Sequence, residues 1–290
     1  MGNLRAIMIG DVVGDPGLEV LGRLLPSLIK ENSADFVIVN GENAADGFGL
    51  TVPCLERIFA AGADVVTGGN HIWEKREFLP VVDTEERVLR PMNYPSGSTG
   101  QKTDIEPTAG KGWVKMEKPS PSGNISWLAV NLQGREFMTA LDCPFRAFDG
   151  FEAGLRSIGT AGSEGSAEKP IILVDFHAES SREKEALAYY LDGRVSIAAG
   201  THTHVQTADE RILPKGSAYI TDLGMTGALN GVIGMDSKIC LDRARNQVLY
   251  RMEVAAEGET AIQGIIAEID FETGKALSIK RINSGFSQNS

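Results

Sequence analysis

Cysteine is scarce: three in 290 residues (Cys54, Cys143 and Cys240), an odd number with no Cys-x-x-Cys spacing. That argues against a disulfide framework or a zinc ribbon and fits reduced thiols. Positive charge is also short, with 28 Lys and Arg against 39 Asp and Glu and a net charge of −11. A broad electrostatic grip on DNA or on an anionic membrane is therefore not expected. A small anionic substrate held by a local cation is compatible with that balance. No apolar run approaches the roughly 18 residues of a membrane span. The chain enters a strand-like segment within a few residues of Met1, without the regions of a signal peptide, so the expected location is cytoplasmic. With 42% hydrophobic residues the chain has material for a substantial core, which excludes global disorder.

What is present is an alternation of short apolar runs and helical periodicity. Leu4–Gly10, Asp35–Asn40 and Asp64–Thr67 read as strands, with helices over Gly17–Glu31, disturbed at Pro26, and Pro53–Ala63 between them. Continuous apolar strands alternating with helices indicate a parallel sheet covered on both faces. Trp113–Glu117 and Ile125–Asn131 form a strand pair, and Pro144–Ile158 is helical. A second α/β stretch follows, with strand Pro170–Phe176, helix Glu179–Leu191 and strand Val195–Ala199. Ala218–Thr221, Gln247–Ala255, Ile262–Phe271 and Ala276–Ile282 alternate like antiparallel strands, with a hairpin turn at Gly274. Segments Tyr94–Gly110, Lys118–Asn124 and Gly159–Lys169 read as loops or turns. Residues 1–283 form one domain in this reading, and Ser284–Ser290 a polar, frayed tail.

Only four histidines occur, and His71, His177, His202 and His204 each fall just past a strand. Asp11, Glu42, Asn43 and Asn70 fall in the same kind of place. Ligands of open α/β sheets bind at the carboxyl ends of strands, where loops converge on a crevice. Each piece has an ordinary explanation: Asp11 as a helix cap, Gly69-Asn70-His71 as a turn, His177 as a satisfied core histidine. Their conjunction at successive strand ends points to a metal site. Imidazole, carboxylate and amide oxygen without thiolate suit iron, manganese or zinc. The candidate ligands exceed one zinc's needs and suffice for two ions sharing a carboxylate. Two such ions lower the pKa of a water between them and neutralise phosphate oxygens, so phosphate-ester hydrolysis is the natural reaction.

The order Asp11, Glu42-Asn43, Gly69-Asn70-His71, His177, Gly200-Thr201-His202-Thr203-His204 resembles the calcineurin-like metallophosphoesterases. The stretches GDVVGDPG, NGENAADGFG, GGNHIWEK, LRPMNYP, DFHAE, GTHTHVQTADERILPKG and TDLGMTG are similar, more closely, to the bacterial YmdB-like phosphodiesterases. The resemblance implies a four-layer α/β/β/α sandwich of two mixed sheets and a dinuclear site, usually iron. It implies hydrolysis of cyclic nucleotides with 2′,3′- or 3′,5′-cyclic phosphates. By resemblance Asp11 and His204, with Asn43 joining them, hold one metal. Asn70, His177 and His202 hold the other, Glu42 bridges, and His71 donates a proton to the leaving alkoxide. Two departures from the broad superfamily, no histidine in Asp11-Val12-Val13 and Glu42 in place of an aspartate, are shared by the YmdB-like group.

Other residues carry less. Arg135, Arg146 and Arg211 are candidates for substrate phosphate, and Asp222 for orienting a ligand histidine. The Gly47–Gly49 loop is either a pocket wall or a plain turn. Trp73 and Cys54 read as packing residues. Two further functions compete: a metal-dependent amidohydrolase barrel, which also uses His-x-His, and a regulatory protein that keeps the pocket but acts through a partner. A homo-oligomer is left open.

Overall fold

Unbroken apolar runs in this chain form strands buried on both faces. All five residues of Phe36–Asn40 are buried, and so are all seven of Ile171–His177. The computed structural model describes residues 3–95, 108–118, 124–157, 170–256 and 258–286. The first stretch is β1 (Leu4–Ile9), β2 (Asp11–Val12), α1 (Gly14–Asn32), β3 (Phe36–Asn40), α2 (Val52–Ala60) and β4 (Val65–Thr67). Short α3 (Leu79–Thr84) and β5 (Val88–Leu89) lead to β6 (Trp113–Lys118), β7 (Ile125–Gln133) and α4 (Pro144–Ser157). Next come β8 (Ile171–His177), α5 (Ser181–Leu191), β9 (Ile197–Thr201), β10 (Arg211–Ile212), β11 (Ala218–Ile220) and β12 (Met225–Ala228). The chain closes with α6 (Ser237–Asn246), β13 (Thr260–Ile269) and β14 (Ala276–Phe286).

Two mixed sheets result. One has the order β2-β12-β13-β1-β3-β4-β5, with β14 also paired to β13; the other runs β10-β11-β9-β8-β7-β6. β1, β3, β4 and β5 are mutually parallel, as are β7, β8, β9 and β11. Three apolar layers hold this together. Met8, Ile38 and Ile265 of one sheet meet Trp127, Leu173 and Ile197 of the other. Leu18, Leu21 and Leu25 of α1 and Leu55 and Ile58 of α2 cover the outer face of the first sheet. Phe148, Leu155, Leu187 and Leu191 from α4 and α5 cover that of the second. This is the four-layer α/β/β/α sandwich expected, and its two open sheets exclude the amidohydrolase barrel.

Local expectations fare unevenly. Pro26 does not end α1, because it lies on the exposed side, where the Gly22 carbonyl it leaves unbonded faces water. Gln247–Ala255 alternates like a strand but is not one. Val248, Leu249 and Tyr250 are exposed, and only Val254 makes a bridge, to Met235. The physical reason is that β13 already has both edges occupied, by β1 and β12 on one side and β14 on the other. Helix α6, capped by the Asp236 side chain accepting from Ile239 N (2.8 Å), was not expected. β14 continues to Phe286, opposite Thr260, three residues into the expected tail. The loops Tyr94–Gly110, Lys118–Asn124 and Gly159–Lys169 lie largely outside the described residues.

Trp127 is 1% exposed and its ring lies 4.8 Å from that of Phe36, across the interface between the sheets. Trp127→Ala should lower unfolding free energy by about 3–5 kcal/mol, measured by urea denaturation.

Candidate metal centre

The sheets pack so that the carboxyl ends of β1, β3, β4, β8 and β9 face one another. Gly10 makes the first turn possible: a Cβ there would stand 2.0 Å from the Gly224 carbonyl oxygen. Immediately after it Asp11 starts β2, paired with Met225 of β12. Glu42 and Asn43 follow β3, Asn70 and His71 follow β4, His177 ends β8, and His202 and His204 follow β9. Asp11, Glu42 and His177 are fully buried, and Asn43 is 3% exposed.

All seven expected ligands meet in one cluster. His177 Nε2 lies 3.0 Å from Glu42 Oε1, 3.1 Å from Asn70 Oδ1 and 3.0 Å from His202 Nδ1. Beside it, His204 Nε2 lies 3.7 Å from Asp11 Oδ1 and 3.1 Å from Asn43 Nδ2. Gly69 leaves the space between these groups open, since a Cβ there would stand 2.3 Å from both Glu42 Oε2 and His177 Nε2. His71 stands at the rim. Its backbone N donates to Glu42 Oε2 (3.1 Å), its Nδ1 meets Glu74 Oε1 (2.9 Å), and its ring sits edge-on to Phe48.

Each of the three inner histidines is oriented by a partner on its outward nitrogen. His177 Nδ1 lies 3.0 Å from Thr201 Oγ1, whose hydroxyl donates to Asp175 Oδ1 (2.7 Å), so the ring nitrogen is the donor. His202 Nε2 faces Glu179 Oε2 at 3.2 Å, and His204 Nδ1 faces the Ile233 carbonyl at 2.8 Å. The second nitrogen of every ring is thereby directed into the cluster, as metal-bound histidines are arranged. One proton on His177 Nε2 can satisfy one of the three acceptors around it; a cation in their midst satisfies all. The residues therefore fit a metal. Asn43 presents its amide nitrogen here, and a half-turn of the nearly isosteric amide brings its oxygen to the same point.

The electrostatics agree with that fit. Burial works against ionisation of Glu42, but the charge and hydrogen bond of His177 hold its carboxyl at about 2. Burial likewise opposes protonation of His177, yet Glu42, Asp11 and Asp175 pull it up to about 9. His202 is pushed down to about 3 by burial and by the charge of His177. Burial raises Asp11 to about 6, against the pull of His204 and His177. The carboxylates thus favour a positive charge beside them, whether a protonated His177 or a bound cation.

Not every residue singled out touches the cluster directly. Asp222 touches no histidine ring: its oxygens take Lys184 Nζ, Thr203 N and Oγ1, and Gly224 N. Arg211 pairs with Glu185 and Asp209 over the Tyr219 ring. Arg146 is exposed on α4, and the Arg135 guanidinium reaches Cys143 Sγ. Trp73 packs edge-on to Tyr94, and Cys54 lies against the α1–α2 layer, both as expected. Sequence reasoning missed Glu179, Thr201 and Asp175. The signal was Asp175 itself, a carboxylate inside the apolar run IILVDFH, where only a buried polar role explains it.

A family model described as YmdB-like protein matches residues 7–282. The chain belongs to that family. It is 42% identical over 279 residues to the 2′,3′-cyclic-nucleotide 2′-phosphodiesterase of Bacillus subtilis (strain 168), covering 96% of each chain. Among solved structures it is similar to a hypothetical protein from Thermus thermophilus, with 37% identity and a TM-score of 0.82 over 97% of this chain and 99% of that one. It is also similar to a phosphatase from Mycoplasma pneumoniae, with 30% identity and a TM-score of 0.85 over 100% and 96%. A 5′-nucleotidase from Candida albicans, 14% identical with a TM-score of 0.56 over 99% of this chain and 51% of that one, shares the fold alone. The YmdB-like sandwich is thus a calcineurin-like phosphatase fold. No helix among the described residues is long and apolar enough to cross a membrane.

A metal ion must displace the proton that the carboxylates of this YmdB-like centre hold on His177. Between the raised values of Asp11, about 6, and His177, about 9, that one proton competes with the ion, so Mn²⁺ affinity should rise with pH by up to about tenfold per unit. Above the His177 value the affinity should level off. Calorimetric titration of chelator-stripped protein across that range checks this, and affinity independent of pH would contradict it.

Proposed function

We propose that the protein is a phosphodiesterase that opens the cyclic phosphate of 2′,3′-cyclic nucleotides, acting at a two-metal site. The observation that carries this reading is that three histidines, each tied outward, turn their other nitrogens into one cluster with Glu42, Asp11, Asn43 and Asn70. In this reading Asp11, Asn43 and His204 hold one ion, Asn70, His177 and His202 the other, and Glu42 lies between them. The donor set suits iron, with manganese or zinc able to replace it. Bound there, the ions supply a hydroxide nucleophile near neutral pH and neutralise the phosphate oxygens.

The chain's own residues supply the rest. Glu42 contributes the charge that holds two cations close, and its burial among His177 and the His71 backbone N–H fixes its position. His71 is the proton donor. Its Nδ1 is engaged by Glu74 Oε1 (2.9 Å), which leaves Nε2 to carry the transferable proton. As hydroxide adds to phosphorus and one P–O ester bond breaks, that proton passes to the ribose oxygen that leaves. The product is a nucleoside monophosphate. The relatives' activity on cyclic nucleotides and phosphate esters supports this substrate class, and 3′,5′-cyclic phosphates form the second class to assay.

The test is hydrolysis of 2′,3′-cyclic AMP after chelator stripping and after manganese or ferrous reconstitution. Glu42→Gln keeps size but removes the central charge, and should lose metal and at least about 10²-fold of activity. Near-wild-type turnover by that variant would sink the assignment. His71→Ala should keep its metal and lose far more activity on the cyclic nucleotide than on a nitrophenyl phosphodiester, whose leaving group needs no proton. Equal losses on both substrates would remove His71 from the proton-donor role.

A further inference from the structure

The turn that carries His202 and His204 has an unfavourable backbone. His202 has φ 102° and His204 φ 63°, both in the left-handed region that favours glycine. Such conformations persist only where the surroundings over-determine them. The His202 backbone N donates to Asp11 Oδ2 (3.2 Å), and Thr203, between the two histidines, is a second point of attachment. Its backbone N (3.2 Å) and its Oγ1 (2.8 Å) both donate to Asp222 Oδ2. The other carboxylate oxygen accepts from Gly224 N at 2.8 Å.

Asp222 is itself held on every side. Lys184 Nζ reaches Asp222 Oδ2 at 2.6 Å, with both side chains 1% exposed. Asp222 N donates to Thr207 Oγ1 (2.9 Å), and Thr207 N donates back to the Asp222 carbonyl (3.1 Å). The Lys184 stem, rising from α5, runs beneath Gly200, where a Cβ would stand 2.8 Å from Lys184 Cδ. Replacing a buried ion pair by neutral groups is often harmless to stability, so stability alone is a weak reason for this pair. Its location is the informative feature.

We propose that Asp222, fixed by Lys184, is a positioning residue of the metal centre: it clamps the His202-Thr203-His204 turn so that one imidazole faces each half of the site. The inference rests on the metal-site reading above. A carboxylate is required because both its oxygens accept, one from the histidine turn and Lys184, the other from Gly224 N. Asparagine has a single acceptor oxygen and leaves one of the two turns unheld.

The test separates metal affinity from stability, using the full chain stripped by chelator and titrated with Mn²⁺ alone, with thermal unfolding of the metal-free protein in parallel. Asp222→Asn should bind Mn²⁺ about 10–100-fold more weakly, the usual loss for a residue that orients ligands. It also leaves Lys184 charged and unpaired, and its unfolding temperature should fall. In the double variant Lys184→Met/Asp222→Asn the buried charge is gone, so the unfolding temperature should recover while Mn²⁺ affinity stays low. Thr203→Val, half-buried and isosteric, should keep its unfolding temperature and lose affinity several-fold. Wild-type Mn²⁺ binding by the double variant or by Thr203→Val overturns the proposal, and Thr203→Val decides alone where the buried variants do not fold. Failure of the wild-type protein to bind Mn²⁺ overturns the metal site with it. Absence of cyclic-nucleotide turnover with Mn²⁺ bound overturns only the substrate class, and the affinity comparison still decides the proposal.

Discussion

The packing of two mixed sheets, face to face, is the constraint on which the rest depends. Met8, Ile38 and Ile265 against Trp127, Leu173 and Ile197 form an apolar interface, and that contact sets how the strand ends of one sheet stand against those of the other. Asp11, Glu42, Asn43 and Asn70 come from the first sheet, and His177, His202 and His204 from the second. Neither sheet carries the cluster alone. The layer that stabilises the fold is therefore also the frame that brings carboxylates to imidazoles.

Within that frame, burial gives the charges their force. Glu42 and His177 are both fully buried, 3.0 Å apart, and exert opposite demands on one proton. In water such a pair is worth little; out of water it is strong but expensive to desolvate. A cluster of this kind is a poor way to stabilise a fold and a good way to recruit a cation. Gly69 keeps the centre open, and Thr201, Glu179 and the Ile233 carbonyl turn the rings toward it. Strain in the His202–His204 turn is tolerated because Asp222 and Lys184 oppose its relaxation.

Much of this was legible from the residues in order. Apolar runs such as FVIVN and IILVDFH marked strands, and polar residues just beyond them marked the site, because side chains at strand ends escape the core. The family likeness extended that reading to individual candidate ligands, and the structure brings these side chains together. Reading failed where the outcome depended on partners distant in sequence. Gln247–Ala255 has a strand's alternation but β13 has both edges occupied, and Asp222 reaches the histidine turn through Thr203 and not through a ring.

The division has a physical basis. Residue type and local periodicity by themselves determined most of the longer strands and helices, and the donor chemistry of imidazole, carboxylate and amide. These depend on neighbours within a few positions and on the intrinsic properties of each side chain. Which nitrogen of each histidine faces inward, which carboxylate is neutralised by which cation, and why Gly69 must lack a side chain were decided only by tertiary structure. Those outcomes depend on distances between groups more than a hundred residues apart, such as Asn70 and His177 or Asp11 and His202, and on the burial that makes such contacts strong.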